Sequence, residues 1–220
     1  MPDATEIIAQ LQHYSNPSSL EGMKRFGMNV DSALGIPIPV LRKLAKELKR
    51  DHQLALELWD TGIHEARILA SMIDDPKKVT AVQISAWAKE FNSWDVCDQV
   101  CGNLFNRTPF AVNKAKEFSQ RKEEFVKRAG FTLMATYAVH NKKEKDEVFL
   151  SFFPFIEKGA DDERNFVKKA VNWALRQIGK RNENLQQEAI KLAERIGKQE
   201  SKSAKWIGRD ALTELKKKTF

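Results

Sequence analysis

FVKKAVNWALRQIGKR, residues 166–181, is the stretch whose reading decides the fold. Wound as a helix at about 100° per residue, it gathers Val167, Val171, Ala174, Leu175 and Ile178 on one side. Trp173 falls on the opposite side, among Lys169, Arg176, Gln177 and Lys180. The opening of the stretch recurs. FVKRA occupies 125–129, an offset of 41, and a weaker copy, WIGRD, occupies 206–210, 40 residues further on. Each copy carries an aromatic residue, a β-branched residue, and a basic residue at the fourth place: Arg128, Lys169 and Arg209. A period near 40 built from two helices is the range of HEAT-type solenoids. Such arrays stack helix pairs into a curved layer with a concave inner face. Stacking in register predicts a ladder of the three basic residues up one face.

Outward from that repeat, nearly every segment has a helical period. IPVLRKLAKELKR follows the breakers Pro37 and Pro39 and repeats Leu41, Leu44, Ala45 and Leu48. HQLALELWD, HEARILASMID and KKVTAVQISAWAKEF are separated by Gly62 and by Asp74-Asp75-Pro76. A helix from Trp94, PFAVNKAKEFSQR, EEFVKRAGFTLMATYAVH, KDEVFLSFFPFIEKG, ENLQQEAIKLAERIG and SAKWIGRDALTELKKK complete the pattern. No strand-period run separates them, and no Gly-rich phosphate loop is present. The expected fold is all-α: a right-handed, curved α–α superhelix of HEAT-like repeats, forming a single domain over residues 1–220.

At 42% hydrophobic and 30% charged residues, the composition is that of a globular protein in water. No apolar run approaches the ~18 residues a membrane span needs. The N-terminal MPDATEIIAQL lacks the apolar core of a secretory signal. Cys97 and Cys101 lie one helical turn apart, a poor geometry for a disulfide, and no His is near in sequence to complete a zinc set. They read as free thiols of a reducing cytoplasm. Net charge is +7, and its distribution is uneven. Residues 1–160 hold 22 Lys+Arg against 21 Asp+Glu, whereas residues 161–220 hold 15 against 9. Such a basic portion suits a polyanion partner, and equally a solvated surface.

Three constellations carry candidate chemistry. In FNSWDVCDQVCG (91–102), Ser93 is placed to cap a helix whose apolar arc runs through Trp94, Val96, Cys97, Val100, Cys101, Leu104 and Phe105. Asp95 is explained by the helix dipole, which explains Asp98 less well. Asp98 sits at the edge of the arc, one turn after Trp94, and a half-desolvated carboxylate beside an indole suits stabilisation of a cation. Arg128 shares a face with Thr132, Ala135 and Val139, small enough to line a cleft; pairing with Glu124 is the competing reading. Trp173 among cations fits a nucleic-acid surface, or packing on a neighbouring repeat with lysine stems over it. His13, His52, His64 and His140 are scattered and read as structural or surface residues.

Together these residues resemble the DNA alkylation repair enzyme family, the DNA glycosylases of HEAT-like repeats. LGIPIPVLRKLAKEL is similar to its N-terminal Gly-aliphatic, Pro and Arg-containing helix, and ELWDTGIHEARILA to its Glu-Leu-Trp helix pair. SWDVCDQV matches its Ser-Trp-Asp-x-x-Asp motif, FVKRA its arginine segment, and AVNWALRQ its second aromatic. The resemblance implies excision of positively charged N3- or N7-alkylated purines from double-stranded DNA by hydrolysis, on a shallow face that does not enclose the base. It places Asp98 as the carboxylate, Trp94 and Trp173 as the indoles holding the sugar, and Arg128 on a phosphate. Lys169, Arg176, Lys180, Lys202, Lys205 and Arg209 become backbone contacts, with Trp206 repeating the aromatic-among-cations arrangement. No metal or organic cofactor is implied, and a monomer is expected. Phe26 stands where some members carry a tyrosine near the lesion. The rival expectation is a non-catalytic HEAT-like module that binds DNA structures or a protein.

Overall fold

A computed structural model describes residues 2–220. The chain divides into two compact units, the first ending at Thr108 and the second spanning Pro109–Phe220. Among the described residues there are fourteen α-helices and two short 3-10 turns.

The first unit contains α1 (Ala4–His13), α2 (Leu20–Arg25), α3 (Ile38–Leu48), α4 (His52–Asp60), α5 (His64–Ile73), α6 (Ala81–Lys89) and α7 (Trp94–Asn103). Local chemistry sets several boundaries. Asp3, Asp51 and Thr80 cap α1, α4 and α6 by accepting from the backbone N–H three residues on. The Thr80 cap shortens the helix expected from Lys77, which starts instead at Ala81. α5 packs on α3, α4 and α7 and is the hub of the unit. An aromatic cluster fills the core below it. Trp59 and Trp87 stack with ring centroids 4.0 Å apart, and Phe91 and Phe105 close around them.

The second unit contains α8 (Ala111–Phe118), α9 (Glu124–His140), α10 (Asp146–Leu150), α11 (Phe153–Gly159), α12 (Asn165–Gly179), α13 (Glu183–Gly197) and α14 (Lys202–Leu215). KDEVFLSFFPFIEKG, expected as one helix, is two. Pro154 has no N–H to give and would press on the carbonyl of Leu150, so the chain breaks and restarts with proline in the first turn of α11. Three pairs result, α8 with α9, α11 with α12, and α13 with α14. α9 packs along α12, and α12 along α14.

The repeat read from FVKRA and FVKKA is visible in this stacking. The residues that enter α9 and α12, Glu123 and Arg164, have identical backbone angles, φ −65° and ψ 127°. The rings of Phe125 and Phe166 meet at 5.6 Å between centroids. One period on, Lys168 Nζ lies 5.2 Å from the centre of the Trp206 ring. At the entry to α12, Asp162 accepts from Lys127 Nζ at 2.8 Å and from Arg164 Nη2 at 2.6 Å, while Arg164 Nη1 donates to the Lys122 carbonyl at 2.8 Å. Burial raises the Asp162 carboxyl, and these donors more than reverse that and hold it well below its usual range.

Two glycines let paired helices touch. A Cβ on Gly130 would lie 2.3 Å from the Ser119 backbone nitrogen, and one on Gly208 would lie 2.6 Å from the Gly197 Cα. Backbone cannot move aside as a side chain can. Gly208→Ala is therefore expected to lower stability by about 1–3 kcal/mol through overpacking, despite alanine's better helix propensity. Gly22→Ala, on α2 with nothing within 4 Å of the added carbon, is expected to be neutral or stabilising by up to about 1 kcal/mol. Urea denaturation of the two variants checks the contrast.

Candidate functional site

In the first unit the predicted pair Trp94 and Asp98 lies on α7, one turn apart, both side chains half-buried. The apolar flank of the helix, Val96, Cys97, Val100 and Cys101, is at most 2% exposed, so Asp98 stands at the border of core and solvent as the wheel predicts. Trp94 is held from outside the helix. Its Nε1 donates to the Phe26 carbonyl at 3.1 Å, while the Phe26 ring is 74% exposed. The residue noted in the sequence for its missing hydroxyl thus sits beside the predicted indole. The two cysteines are buried thiols not joined in a disulfide.

The start of α7 departs from the expected cap. Ser93 holds the cap position, but its hydroxyl makes no capping bond; Oγ donates to Asp95 Oδ1 at 2.5 Å and accepts from the Asn29 N–H at 3.2 Å. Asp95 is more than a dipole-favoured residue. Its Oδ2 meets His64 Nε2 at 2.8 Å, and His64 is 4% exposed. Burial lowers the pKa of the imidazole, and the hydrogen bond and charge of Asp95 more than offset this, so the net shift is upward from 6.5. Burial raises the Asp95 carboxyl, and His64 with the Ser93 hydroxyl brings it below 3.8. The neighbouring Glu65 accepts from the backbone N–H groups of Leu34 and Gly35 at 2.8 Å and of Ile36 at 3.2 Å. With the His64 N–H, which donates to the Ser32 carbonyl at 3.0 Å, Glu65 therefore fastens residues 32–36. Between these elements lies a cavity of about 280 Å³ lined by Met23, Met28, Ile36, Ile38, His64 and Asp95.

In the second unit Arg128 is buried on α9, and its Nη1 donates to the Phe166 carbonyl at 2.6 Å. Thr132 and Ala135 are fully buried, so the face expected to line a cleft is packed instead. The three residues of the expected basic ladder are not equivalent. Arg128 is inside, whereas Lys169 and Arg209 are exposed. Residues 128–136 of α9 are all buried, so it has no solvent strip at that height, which α12 and α14 retain.

On α12, Val167, Val171, Ala174, Leu175 and Ile178 are fully buried, and Trp173 is half-buried on the other side. With the Gln177 amide turned to satisfy its neighbours, its oxygen accepts from Trp173 Nε1 at 3.1 Å and from Lys180 Nζ at 3.2 Å. Arg176 and Lys180, read as phosphate contacts, are both bonded to Glu214 of α14, Lys180 at 2.6 Å. Asn172 donates to Asp210 at 2.6 Å. Lys202, Lys205 and Arg209 on α14 are exposed, and Trp206 is half-buried with Lys168 over its ring.

Among the described residues, no group of three His, Cys, Asp or Glu side chains is placed to hold a metal ion. None of the helices is long and apolar enough to cross a membrane.

Residues 7–215 match the model of the family described as DNA alkylation repair enzyme. An uncharacterized protein of Listeria innocua is 22% identical over 197 residues, covering 88% of this chain and 86% of its own. An uncharacterized protein of Listeria monocytogenes is 20% identical over the same length and coverage. Among solved structures, one described as representing a new family of proteins related to the HEAT-like repeat DNA glycosylases, with affinity for branched DNA structures, superposes with a TM-score of 0.78. It is 18% identical and covers 95% of this chain and 94% of its own, a likeness of fold that bears out HEAT-like repeats.

The His64–Asp95 pair yields a pH-dependent prediction. A histidine with a raised pKa adds stability below 6.5 that is lost as pH climbs through its folded value. An aspartate with a lowered pKa adds stability above 3.8 that is lost as pH falls through its folded value. The pair therefore contributes most between those two points. His64→Gln is expected to cost about 3 kcal/mol at pH 5.5 and clearly less at pH 9, measured by urea denaturation at each pH. Equal losses at both would mean that packing, not charge, is what His64 supplies.

Proposed function

The chain belongs to the DNA alkylation repair enzyme family, and from that premise we propose that it is a DNA glycosylase releasing N3- or N7-alkylated purines from duplex DNA. One observation carries the reading: a half-buried carboxylate, Asp98, one helical turn from a half-buried indole, Trp94, at the border of the apolar flank of α7.

A purine alkylated at N3 or N7 already bears positive charge, so it departs without protonation by a general acid. The group needing help is the deoxyribose, which gains oxocarbenium character as the N-glycosidic bond lengthens. An ionised Asp98 stabilises that cation, and its partial removal from water strengthens the attraction. The same carboxylate takes a proton from the water that attacks the anomeric carbon. Trp94 and Trp173 are assigned to the sugar, where an indole face adds roughly 0.5–2 kcal/mol of cation–π attraction. Arg128 is assigned to a phosphate beside the lesion. Lys169, Lys202, Lys205, Arg209 and Trp206 are assigned to backbone contact without sequence readout. Arg176 and Lys180 join them only by exchanging Glu214 for phosphate, so their contribution is smaller.

Asp98→Asn is expected to reduce release of 7-methylguanine or 3-methyladenine from methylated duplex by at least about a hundredfold, with DNA affinity nearly intact. Unchanged release removes Asp98 from the reaction. Arg128→Ala is expected to lower binding and rate together; full activity contradicts the assigned phosphate contact. A second reading, a module that recognises DNA structure without chemistry, is supported by the solved structure of like fold described as having affinity for branched DNA structures. That reading prevails if the unaltered protein binds duplex or branched DNA and liberates no alkylbase.

A further inference from the structure

Helix α14 has two electrostatic faces. The row Trp206, Asp210 and Glu214 is turned toward α12, where Asp210 and Glu214 receive Asn172, Arg176 and Lys180. Cations there are neutralised. About a third of a turn round the helix the balance reverses. A groove of about 720 Å³ runs between α13 and α14, and five of its lining residues are cations: Lys198, Lys205, Arg209, Lys216 and Lys217. Glu194 is the one acid among its lining residues. The helices approach closely at its floor, where Gly208 meets Gly197, so the groove is shallow and its rim is lysine and arginine.

Two of these cations have acidic neighbours, and both pairings are loose. Lys216 lies 3.6 Å from Glu194 and Lys205 3.7 Å from Glu200, with the lysine side chains 59% and 55% exposed. Exposed pairs of that length are worth little and exchange readily for another anion. From Lys205 to Lys216 the row extends about 16 Å along the helix, at 1.5 Å per residue. That length matches a few consecutive phosphates of one DNA strand. The cations are strung along the rim, which matches the continuous line of charge of a sugar–phosphate strand.

We propose that the α13–α14 groove is a second DNA contact surface, taking the phosphate backbone of one strand without reading sequence. It adds Lys198, Lys216 and Lys217, which carry no motif or periodic signal in the sequence, to the Lys205 and Arg209 already assigned to backbone contact. The identity of the polyanion rests on the proposed DNA-binding function; the existence of the surface does not depend on glycosylase chemistry.

The test uses the full chain and an unmodified, end-labelled duplex, with anisotropy followed as a function of salt. Neutralising the three new residues together (Lys198→Gln, Lys216→Gln, Lys217→Gln) is expected to weaken affinity at low salt by more than about tenfold. The slope of log K against log salt should fall by about two to three, at about 0.9 for each phosphate that is no longer neutralised. Replacing the same three by arginine is expected to keep affinity and slope near those of the unaltered protein. An unchanged slope in the glutamine variant overturns the proposal. So does a glutamine variant that binds duplex normally but no longer binds vesicles of phosphatidylcholine with phosphatidylserine, since the groove then serves a membrane surface. Because no base release is measured, failure of the Asp98 experiment leaves this result standing, and an unchanged slope leaves Asp98 untouched.

Discussion

A helix inside a stacked pair must bury two flanks at once, one against its partner and one against the equivalent helix a period away. In the second unit this constraint takes up most of each circumference. On α12 it accounts for Val167, Ala170, Val171, Ala174, Leu175 and Ile178, all fully buried. What remains on α12 is a strip one or two residues wide per turn, which holds its cations, while Asn172 stays buried. Lys169, Trp173, Arg176 and Lys180 occupy that strip on α12, and Lys202, Lys205, Trp206 and Arg209 lie outside the buried flanks of α14. Glycine at the crossing points, Gly130 and Gly208, tightens the pairs and fixes where each strip lies.

The strip on α12 was legible because helical periodicity alone sorts core from surface there. The repeat was legible because FVKRA and FVKKA are nearly identical. What periodicity does not give is which polar group meets which. Several polar pairings of the second unit share a second spacing: Arg128 to the Phe166 carbonyl, Asn172 to Asp210, Arg176 to Glu214, and Glu157 to Arg195 each span 38 residues. Equivalent residues recur at 40 or 41, so a bond at 38 joins a side chain to the turn just before its own counterpart. Testing charges against the period, as apolar residues were tested, finds Glu214 for Arg176 and so separates the neutralised cations from the exposed ones. The break at Pro154 was equally readable, since proline cannot continue the helix that precedes it.

The first unit resists this kind of reading. His64 and Asp95 are 31 residues apart, and Trp94 and Phe26 are 68 apart, on segments with no shared period. Only packing brings them together. In the sequence a histidine between Ile63 and Glu65 has no signal for burial, and Asp95 in a first helical turn already has a sufficient local explanation. The same holds for Glu65, whose carboxylate is bonded by three consecutive backbone N–H groups. In the sequence this loop shows only as a glycine, Gly35; the structure gives it a φ of 76° with the Asn16 carbonyl crowding its Cβ position, a course that favours glycine.

Asp95 and Asp98 are three residues apart on one helix and are both half-buried. Asp95 is anchored: a histidine and a serine hydroxyl both satisfy it, and its charge is spent on fixing the start of α7. Asp98 is set at the apolar border next to Trp94 by the pitch of the same helix. Anchoring the first makes the position of the second more definite, because α7 cannot roll without breaking the His64 bond. An attraction between opposite charges grows as water is withdrawn, and it is useful in a reaction only if the carboxylate does not have to move to meet the charge as it develops. The buried pair supplies that fixity at one end of α7, and the fully buried side chains of Val100 and Cys101 supply it along the rest. Under the proposed function, a carboxylate so held meets the charge that develops on the sugar without having to move toward it.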